Sequence, residues 1–414
     1  MIRIKPEPEN TFTCPECGSS NPRVNEVIVP AIHVVADCTC SNCGLEFYQS
    51  FPIGHAVEYP LFVPKKKDTP VPGFPPTPAW FLDTFLKNIR QVKNDQIDIK
   101  KVVYKECDSV VILNTLDYLY GHILLKLYNA LYHLDHHQET GLIVIVPKMF
   151  QWLIPKGCAE AWIVDLKLGD FVYGHTAIQK FVSTELTRFK NVFLSNAYPI
   201  PDFSKIDIER FSGVPPFNLE NFSKIKPTIT FILREDRWWH GSPIEHFFFL
   251  ACRKLKLLGI GSEVLTRRQN LLIKKTIEGI KKDLPEAIIY VAGIGTTGSF
   301  DGYAIDKRKN SIDKETEVEW CRLYASSHVV MGVHGSNMLL PSAHSAGCVE
   351  VLPPDRFGNY AEDLSIRYND RRQLFFYRFA DQYAPASSVK EKIVEIILCY
   401  ESYYKKMCLN LYSE

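Results

Sequence analysis

Two short cysteine motifs near the N-terminus constrain the fold of this chain more than any other feature. Cys14-Pro-Glu-Cys17 and Cys40-Ser-Asn-Cys43 are each followed by a glycine. The glycine permits a tight turn that points backbone amides at the thiolates, and two such turns supply four sulfur ligands for tetrahedral zinc. We therefore predict a structural zinc ribbon in residues 1–50, with Cys14, Cys17, Cys40 and Cys43 as the metal ligands.

Cys38 leaves one alternative open, because it lies next to the second motif and could replace one of its two ligands. The other seven of the twelve cysteines are scattered through apolar stretches, as expected of small buried side chains in a reducing compartment. A pair of redox-active dithiols is the competing interpretation of the motifs. A zinc ion with four protein ligands is structural, since it has no open position for catalysis.

The composition of the 414 residues is typical of a globular protein, with 46% hydrophobic and 23% charged residues. The chain has 48 basic and 47 acidic residues, and this balance argues against non-specific binding to nucleic acids or to anionic membranes. No apolar run is long enough to predict a transmembrane helix. The N-terminus lacks the apolar segment of a secretory signal, so we expect a cytoplasmic protein.

Apolar runs alternate with amphipathic segments along the rest of the chain, which predicts an α/β fold class. We place a proline-rich linker or wrap at residues 51–100 and an N-terminal α/β domain at 101–225. A C-terminal α/β domain is predicted at 226–385. The amphipathic helix in 386–414 then either packs on this second domain or crosses back to the first.

The segment that follows the predicted strand 329–333 is the most informative part of the second domain. His334-Gly335-Ser336-Asn337 forms a tight turn into a helix, which places backbone N–H groups at the carboxyl edge of a parallel sheet. Ligands of open α/β sheets bind at this edge, and an anionic diphosphate suits it. Gly335 lacks the Cβ that would keep a phosphate away, whereas Ser336 and Asn337 either cap the helix or bind the ligand.

The same region resembles the C-terminal signature of the family 61 glycosyltransferases, which are inverting, nucleotide-sugar-dependent enzymes of the GT-B architecture. The resemblance rests on the His334-Gly335 pair, an apolar helix after it, and the strand 348–353 that carries Glu350. It covers about residues 105–400 and leaves the zinc ribbon outside. It implies a GT-B-like pair of Rossmann-type α/β domains, here with a small N-terminal zinc ribbon.

The resemblance also implies further site residues. The family has an arginine after the first strand of its second domain, which corresponds to Arg234 or Arg237. A later Arg-x-x-Asn motif ends here at Asn270 and contains Arg268. A histidine near the start of a helix in the N-terminal domain corresponds to His122.

The chemistry of sugar transfer gives the donor-side residues their expected roles. A departing nucleoside diphosphate gains negative charge, which Arg234, Arg237 and Arg268 would stabilise without a catalytic metal. Glu350, at a strand end, would hold ribose hydroxyls or, equally, be a solvated or salt-bridged carboxylate. His334 would contact the donor or brace the turn through its ring nitrogens.

Inversion also requires a base that takes the proton of the acceptor hydroxyl. His122, on a helix of the N-terminal domain, is the first candidate, and Asp236 is the second. For His122, a purely structural role as a hydrogen-bonded histidine at the start of its helix is the competing interpretation.

We predict an inverting glycosyltransferase that moves a sugar from a nucleotide-sugar donor to a glycan or another hydroxyl acceptor, with zinc as a structural ion only. The alternative is a non-catalytic adaptor that recruits a partner through its zinc ribbon and α/β domains. Another nucleotide-using enzyme, such as an epimerase, is disfavoured because no Gly-x-Gly-x-x-Gly follows an early strand.

Overall fold

A computed structural model describes residues 1–9, 12–66, 77–199, 206–358, 360 and 375–408. The chain divides into two compact units, Met1–Pro201 and Asp202–Glu414. We predicted the boundary between the two α/β domains after residue 225. The boundary between the two compact units falls earlier in the chain, after residue 201.

The first unit contains twelve named strands and three α-helices among its described residues. The strands are β1 (Ile2–Lys5), β2 (Arg23–Ile28), β3 (Val35–Thr39), β4 (Glu46–Ser50), β5 (Phe62–Pro64), β6 (Val92–Lys93), β7 (Ile99–Val103), β8 (Ser109–Asn114), β9 (Gly141–Pro147), β10 (Glu160–Val164), β11 (Gly174–His175) and β12 (Asn191–Leu194). The helices are α1 (Ala79–Arg90), α2 (Tyr120–His136) and α3 (Thr176–Leu186).

The main sheet of the first unit has the strand order β1-β12-β8-β9-β10-β7. The four central strands are parallel, whereas β1 and β7 pair antiparallel at the two edges. All seven residues of β9 are buried, as the continuous apolar run 141–147 predicts. The strands and the helices between them form an α/β layer.

The cysteine motifs flank a separate antiparallel sheet with the order β2-β3-β4-β5. Helix α1 packs on this sheet, because Phe81 and Phe85 lie in one apolar cluster with Val35 and Val63. The stretch 51–100, which we predicted as a linker or wrap, therefore supplies β5, α1, β6 and the start of β7 to the first unit. Its proline-rich run falls partly in residues 67–76, which lie outside the described residues.

The second unit contains a six-stranded sheet in which every pair is parallel, with the order β15-β14-β13-β16-β17-β18. Its strands are β13 (Thr228–Leu233), β14 (Ile288–Gly293), β15 (Ile305–Asp306), β16 (Val329–Val333), β17 (Gly347–Leu352) and β18 (Tyr377–Asp381). Its helices are α4 (Ile208–Ser212), α5 (Pro243–Lys254), α6 (Leu258–Asp283), α7 (Lys314–Ala325), α8 (Leu339–His344), α9 (Ala386–Leu398) and α10 (Tyr400–Cys408).

Both units thus have the parallel strands and crossover helices of Rossmann-type α/β domains, which confirms the predicted fold class. No helix within the described residues is long and apolar enough to span a membrane.

The C-terminal helix α9 is part of the core of the second unit. Val389, Ile393 and Ile396 are completely buried in the same apolar cluster as the strands β16 and β17. The helix packs mainly along α6. Its return to the first domain stays a prediction.

Candidate functional site

The four cysteines of the two motifs converge at one point. Their sulfur atoms all lie within 4.8 Å of one another. Cys14 Sγ is 3.6 Å from Cys43 Sγ, and Cys17 Sγ is 3.6 Å from Cys40 Sγ. Four sulfurs bound at about 2.3 Å to tetrahedral zinc lie about 3.8 Å apart, so this cluster can hold a metal ion such as zinc.

The two motifs have the same backbone geometry. Gly18 N–H donates to the carbonyl of Cys14 at 3.0 Å, and Gly44 N–H donates to that of Cys40 at 2.9 Å. Both glycines have a left-handed backbone, with φ of +70° and +73°, which residues with a Cβ rarely adopt. The glycine after each motif is therefore required by its turn.

Cys38, the alternative ligand, is not part of this cluster. It lies in the middle of the sheet, on β3, and its side chain is completely buried. Burial, together with the charge of Asp37, raises the pKa of the Cys38 thiol to about 12. A neutral, enclosed thiol is a packing residue rather than a metal ligand.

The loop between β2 and β3 is fixed to the α/β part of the first unit by two buried asparagines. Asn88 Oδ1 accepts hydrogen bonds from the N–H groups of Ile32 and His33 at 3.1 and 3.3 Å. Asn114, the last residue of β8, donates to the carbonyl of Ala31 at 2.9 Å. The sheet that carries the cysteine motifs is therefore joined to the carboxyl edge of the main sheet.

At this edge the strand order reverses between β8 and β12, because β9 and β10 continue from β8 on the opposite side. Ligands of open parallel sheets bind outside the carboxyl ends of the strands at such a point. Asp117 follows β8 here, and His122 lies in the first turn of α2. His122 Nδ1 is 3.4 Å from Asp117 Oδ2. A carboxylate in this position orients an imidazole so that its other nitrogen can accept a proton.

Lys126, one turn further along α2, completes a buried group of charges. Its ammonium donates to Asp117 Oδ2 at 2.8 Å and to the carbonyl of Leu116 at 3.1 Å. Burial alone would raise the pKa of Asp117, but the charges and hydrogen bonds of Lys126 and His122 outweigh it and hold that pKa far below its usual range. Asp117 is therefore a permanent anion beside His122.

A small pocket opens beside His122, with a cavity volume of about 20 Å³. That is room for one water molecule or one hydroxyl group, and far less than a sugar ring needs. His33 and His55 line it. Burial is the main cause that lowers the pKa of each to about 3. The charge of Lys126 adds to this effect on His33, and that of His122 adds to it on His55. Trp80 also lines the pocket; it is 44% exposed, and its ring lies 5.0 Å from that of His55.

The second sheet reverses its strand order between β13 and β16. The loop after β13 carries Arg237, and the turn after β16 begins at His334. Arg237 Nη1 donates to the carbonyl of His334 at 2.7 Å. A Cβ on Gly335 would lie only 1.8 Å from that nitrogen. Gly335 thus makes room for the guanidinium of Arg237, whereas we expected it to make room for the phosphate itself.

The helix that we predicted after this turn is short. A single 3₁₀ turn, Ser336–Met338, leads into α8, which has six residues. Neither Ser336 nor Asn337 caps it with a side-chain hydrogen bond. Asn337 Oδ1 instead accepts from Arg234 Nη1 at 3.4 Å. The positive charge at this turn comes from the two arginines more than from a helix dipole.

Asp236, the second candidate base, is ion-paired through both of its oxygens with Arg234. Partial burial would raise its pKa, but the hydrogen bonds and charge of Arg234, with the charge of Arg237, lower it. A carboxylate with a lowered pKa is a weak base. Asp236 is therefore better suited to holding Arg234 in place than to taking a proton.

Glu350 lies in the core of the second unit, next to His334. Both side chains are completely buried, and the Glu350 carboxylate is hydrogen-bonded to His334 Nδ1. Its other oxygen accepts from the hydroxyl of Tyr377. The carboxylate has no exposed oxygen for a ligand, so of the two predicted roles the paired carboxylate describes Glu350 better than ribose binding. It fixes the orientation of the His334 ring.

The remaining predicted donor residues separate in the structure. Arg268 donates to Glu245 on α5 at 3.0 Å and is largely exposed. Asn270 Nδ2 donates to the carbonyl of Thr297 at 2.8 Å, in the loop after β14. The N–H of Thr297 donates to Glu235 Oε1 at 2.7 Å. Asn270 therefore braces the carboxyl edge of the sheet, whereas Arg268 is engaged with a neighbouring helix.

Sequence reasoning missed most of the surroundings of His122. Asp117 lies three residues after the apolar run that forms β8, and Lys126 lies one helical turn after His122, so both could have been found from spacing. His33, His55 and Trp80 had no such signal. His33 and His55 lie in the segments that connect β2 to β3 and β4 to β5, and Trp80 lies on α1. Only the tertiary packing of these segments brings them to His122.

No protein-family model matches the sequence, and no curated protein matches it either. Two solved structures are similar to the chain at 11% identity. The E. coli heptosyltransferase WaaC with ADP covers 73% of this chain and 100% of its own, with a TM-score of 0.33. The glycosyltransferase SnogD from Streptomyces nogalater covers 70% of this chain and 76% of its own, with a TM-score of 0.24.

Proposed function

We propose that the protein is an inverting glycosyltransferase that uses a nucleotide-sugar donor. One observation carries the proposal: each sheet has, at the place where its strand order reverses, one of the two groups that the reaction needs, a base or an anion site. The first sheet presents a histidine–carboxylate pair beside a pocket for a hydroxyl group. The second presents a glycine turn lined by two arginines. A base and an anion site are the two functions that metal-independent sugar transfer requires.

The second unit would bind the nucleoside diphosphate of the donor. When the bond between the anomeric carbon and the diphosphate oxygen breaks, the oxygen keeps the electron pair and becomes more negative. Arg234 and Arg237 would stabilise this charge through charge-assisted hydrogen bonds. Both guanidinium groups are already fixed, by Asp236 and by the carbonyl of His334, so little reorganisation is needed.

The first unit would activate the acceptor. An acceptor hydroxyl enters the pocket and its oxygen attacks the anomeric carbon, while its proton passes to Nε2 of His122. Asp117, held by Lys126, stabilises the resulting imidazolium. The sugar ring of a glycan acceptor is too large for the pocket and would stack on the exposed face of Trp80.

The four-cysteine cluster would hold a structural zinc ion through Cys14, Cys17, Cys40 and Cys43. Binding of zinc would stabilise the folded state of the sheet β2-β3-β4-β5. The ion has no part in the transfer step, because all four of its positions would be filled.

The base is tested by the substitution His122→Ala. Transfer from a nucleotide sugar should fall about 10²–10⁴-fold, since that is the usual contribution of a general base. Binding of the nucleotide, measured by calorimetry, should not change. His136→Ala, at the exposed end of the same helix, is the matched control and should keep full transfer. Equal rates for the two variants would exclude His122 as the base.

The anion site is tested by the substitution Gly335→Ala. Its Cβ would displace Arg237, and a charge-assisted hydrogen bond contributes about 1.5–3 kcal/mol. Affinity for a nucleoside diphosphate should therefore fall roughly ten- to a hundredfold. Gly302→Ala is the control, because Gly302 also has a positive φ, of +74°, but its Cβ would meet no atom within 4 Å. Undiminished affinity in a folded Gly335→Ala variant would place the nucleotide elsewhere.

A further inference from the structure

Helix α5 has an apolar outer face that the second unit does not bury. Ile244 is 80% exposed, Phe247 73%, and Leu255, directly after the helix, 66%. Phe248 is exposed as well. These positions follow the spacing i, i+3, i+4 and i+11, so they form one stripe about 100° wide along the helix.

The helix does not need this stripe for its own packing. Cys252 is buried on a face that lies about 90° round the helix from the middle of the stripe. Phe249 lies about 60° further round and contacts the rings of Trp238 and His240, at centroid distances of 5.7 and 5.5 Å. The outer stripe is therefore surplus to the core, and single-chain proteins rarely expose a contiguous apolar patch without using it.

Two lysines lie near the C-terminal end of the apolar stripe. Lys254 and Lys256 are both exposed, whereas Arg253 lies on the other side of the helix, with its guanidinium carbon 5.5 Å from the centre of the Phe249 ring. Glu245 is the only acidic residue in 243–262, and it is ion-paired with Arg268. A surface that combines exposed aromatic and aliphatic side chains with lysine and arginine is typical of helices that lie in the interface of an anionic membrane.

We propose that this face of α5, the α5 surface, docks the protein on anionic lipid bilayers. Ile244, Phe247 and Leu255 enter the boundary between headgroups and acyl chains, and Lys254 and Lys256 bind the headgroups. The chain's net charge of +1 gives no long-range attraction to an anionic bilayer, so the binding depends on the lysines of the α5 surface, whose charges act within about 8 Å at physiological salt. The proposal is independent of the proposed enzymatic function.

A second copy of the chain fits this surface less well than a membrane does. A two-fold symmetric dimer would bring each patch against its own image. If the two copies of α5 packed parallel, Lys254 and Lys256 of both copies would meet with no acidic residue of 246–262 to neutralise them. If they packed antiparallel, these lysines would lie over the first turn of the other copy, where Glu245 is already paired with Arg268. Anionic headgroups provide the opposite charge.

Docking would also have a geometric consequence within the second unit. Ile244 and Phe247 occupy the first two turns of α5, and the loop 234–242 that carries Arg234 and Arg237 leads directly into this end of the helix. The α5 surface would therefore hold the carboxyl edge of the second sheet near the lipid headgroups.

The test is flotation of the full-length protein with phosphatidylcholine vesicles that contain or lack phosphatidylserine. We expect binding only with phosphatidylserine, and weaker binding as salt is raised. The double variants Ile244→Glu with Phe247→Glu, and Lys254→Glu with Lys256→Glu, should each lower vesicle affinity roughly tenfold or more. Leu398→Glu is the matched control, since Leu398 is 62% exposed on α9, and should bind as the unchanged protein does.

Three results would overturn the proposal. The first is a folded protein that fails to float with phosphatidylserine vesicles. The second is equal binding by the α5 variants and the Leu398→Glu control. The third is light scattering that shows a dimer which the Ile244→Glu, Phe247→Glu variant converts to a monomer, because the α5 surface would then be an interface between two copies.

Discussion

His33 and His55 make the stability of the first unit sensitive to acid. His33 is buried and His55 half-buried, and each has a pKa of about 3 in the folded chain, whereas an unfolded histidine has a pKa of about 6.5. Between these values the unfolded state binds more protons, so the free energy of unfolding should fall as pH drops from about 6.5 towards 3. Urea unfolding at a series of pH values would measure the slope.

The substitution His33→Gln should reduce this slope by about one proton, since it removes one group that must charge on unfolding. Above about pH 6.5 the difference between the variant and the unchanged protein should be constant, which provides an internal control. An unaltered slope would show that His33 is not held neutral. Asp117, whose pKa is held low, should add a second loss of stability below about pH 4.

At the scale of residues, sequence reasoning found groups that share a motif and missed groups that meet only in the folded chain. Cys14, Cys17, Cys40 and Cys43 were recognisable because their spacing alone encodes the turns. Glu350 was assigned to a ribose because its position at a strand end is readable, but its direction into the core is not. Burial decides the role of such a side chain, and burial depends on the packing of distant segments.

At the scale of elements, α9 should be required for the stability of the second unit. Ile393 is completely buried in the core, whereas Leu398 on the same helix is 62% exposed. We expect Ile393→Ala to cost about 2–5 kcal/mol, through lost burial and a cavity, and Leu398→Ala to cost little. The urea midpoints of the two variants measure the difference. Similar midpoints would show that α9 is not part of the core.

Elements that carry a strong apolar pattern were predicted well. β16 matches the predicted strand 329–333 residue by residue, because a strand buried on both faces has a continuous apolar sequence. β13 is buried along its whole length in the same way. The strands β2 and β5 were not found. They are half-exposed or very short, and they are stabilised by pairing with neighbours more than by their own sequence.

At the scale of the whole molecule, the metal cluster should affect the His122 pocket. Cys40→Ser should abolish the binding of about one zinc ion per chain, measured by metal analysis. Because β3 continues from the loop that holds His33, the loss should loosen that loop and lower transfer, with nucleotide binding by the second unit preserved. Hydrogen exchange in residues 30–40 would detect the loosening.

Cys38→Ala is the matched control for the metal, since Cys38 neighbours the second motif but is not part of the cluster. It should retain the zinc. Loss of zinc from this variant, or full zinc content in Cys40→Ser, would contradict the proposed ligand set.

The pairing of β1 with β12 has a consequence for how the chain is made. Ile2 lies opposite Leu194, and Lys5 donates hydrogen bonds to the carbonyls of Leu186 and Thr187. A ribosome therefore produces the first strand of this sheet long before its partner exists, and β1 must wait until almost 200 residues have been synthesised. Contacts of such long range form slowly. The sheet β2-β3-β4-β5, whose strands are close in sequence, can fold during that interval. The pairing of β1 with β12 at the edge of the main sheet forms last.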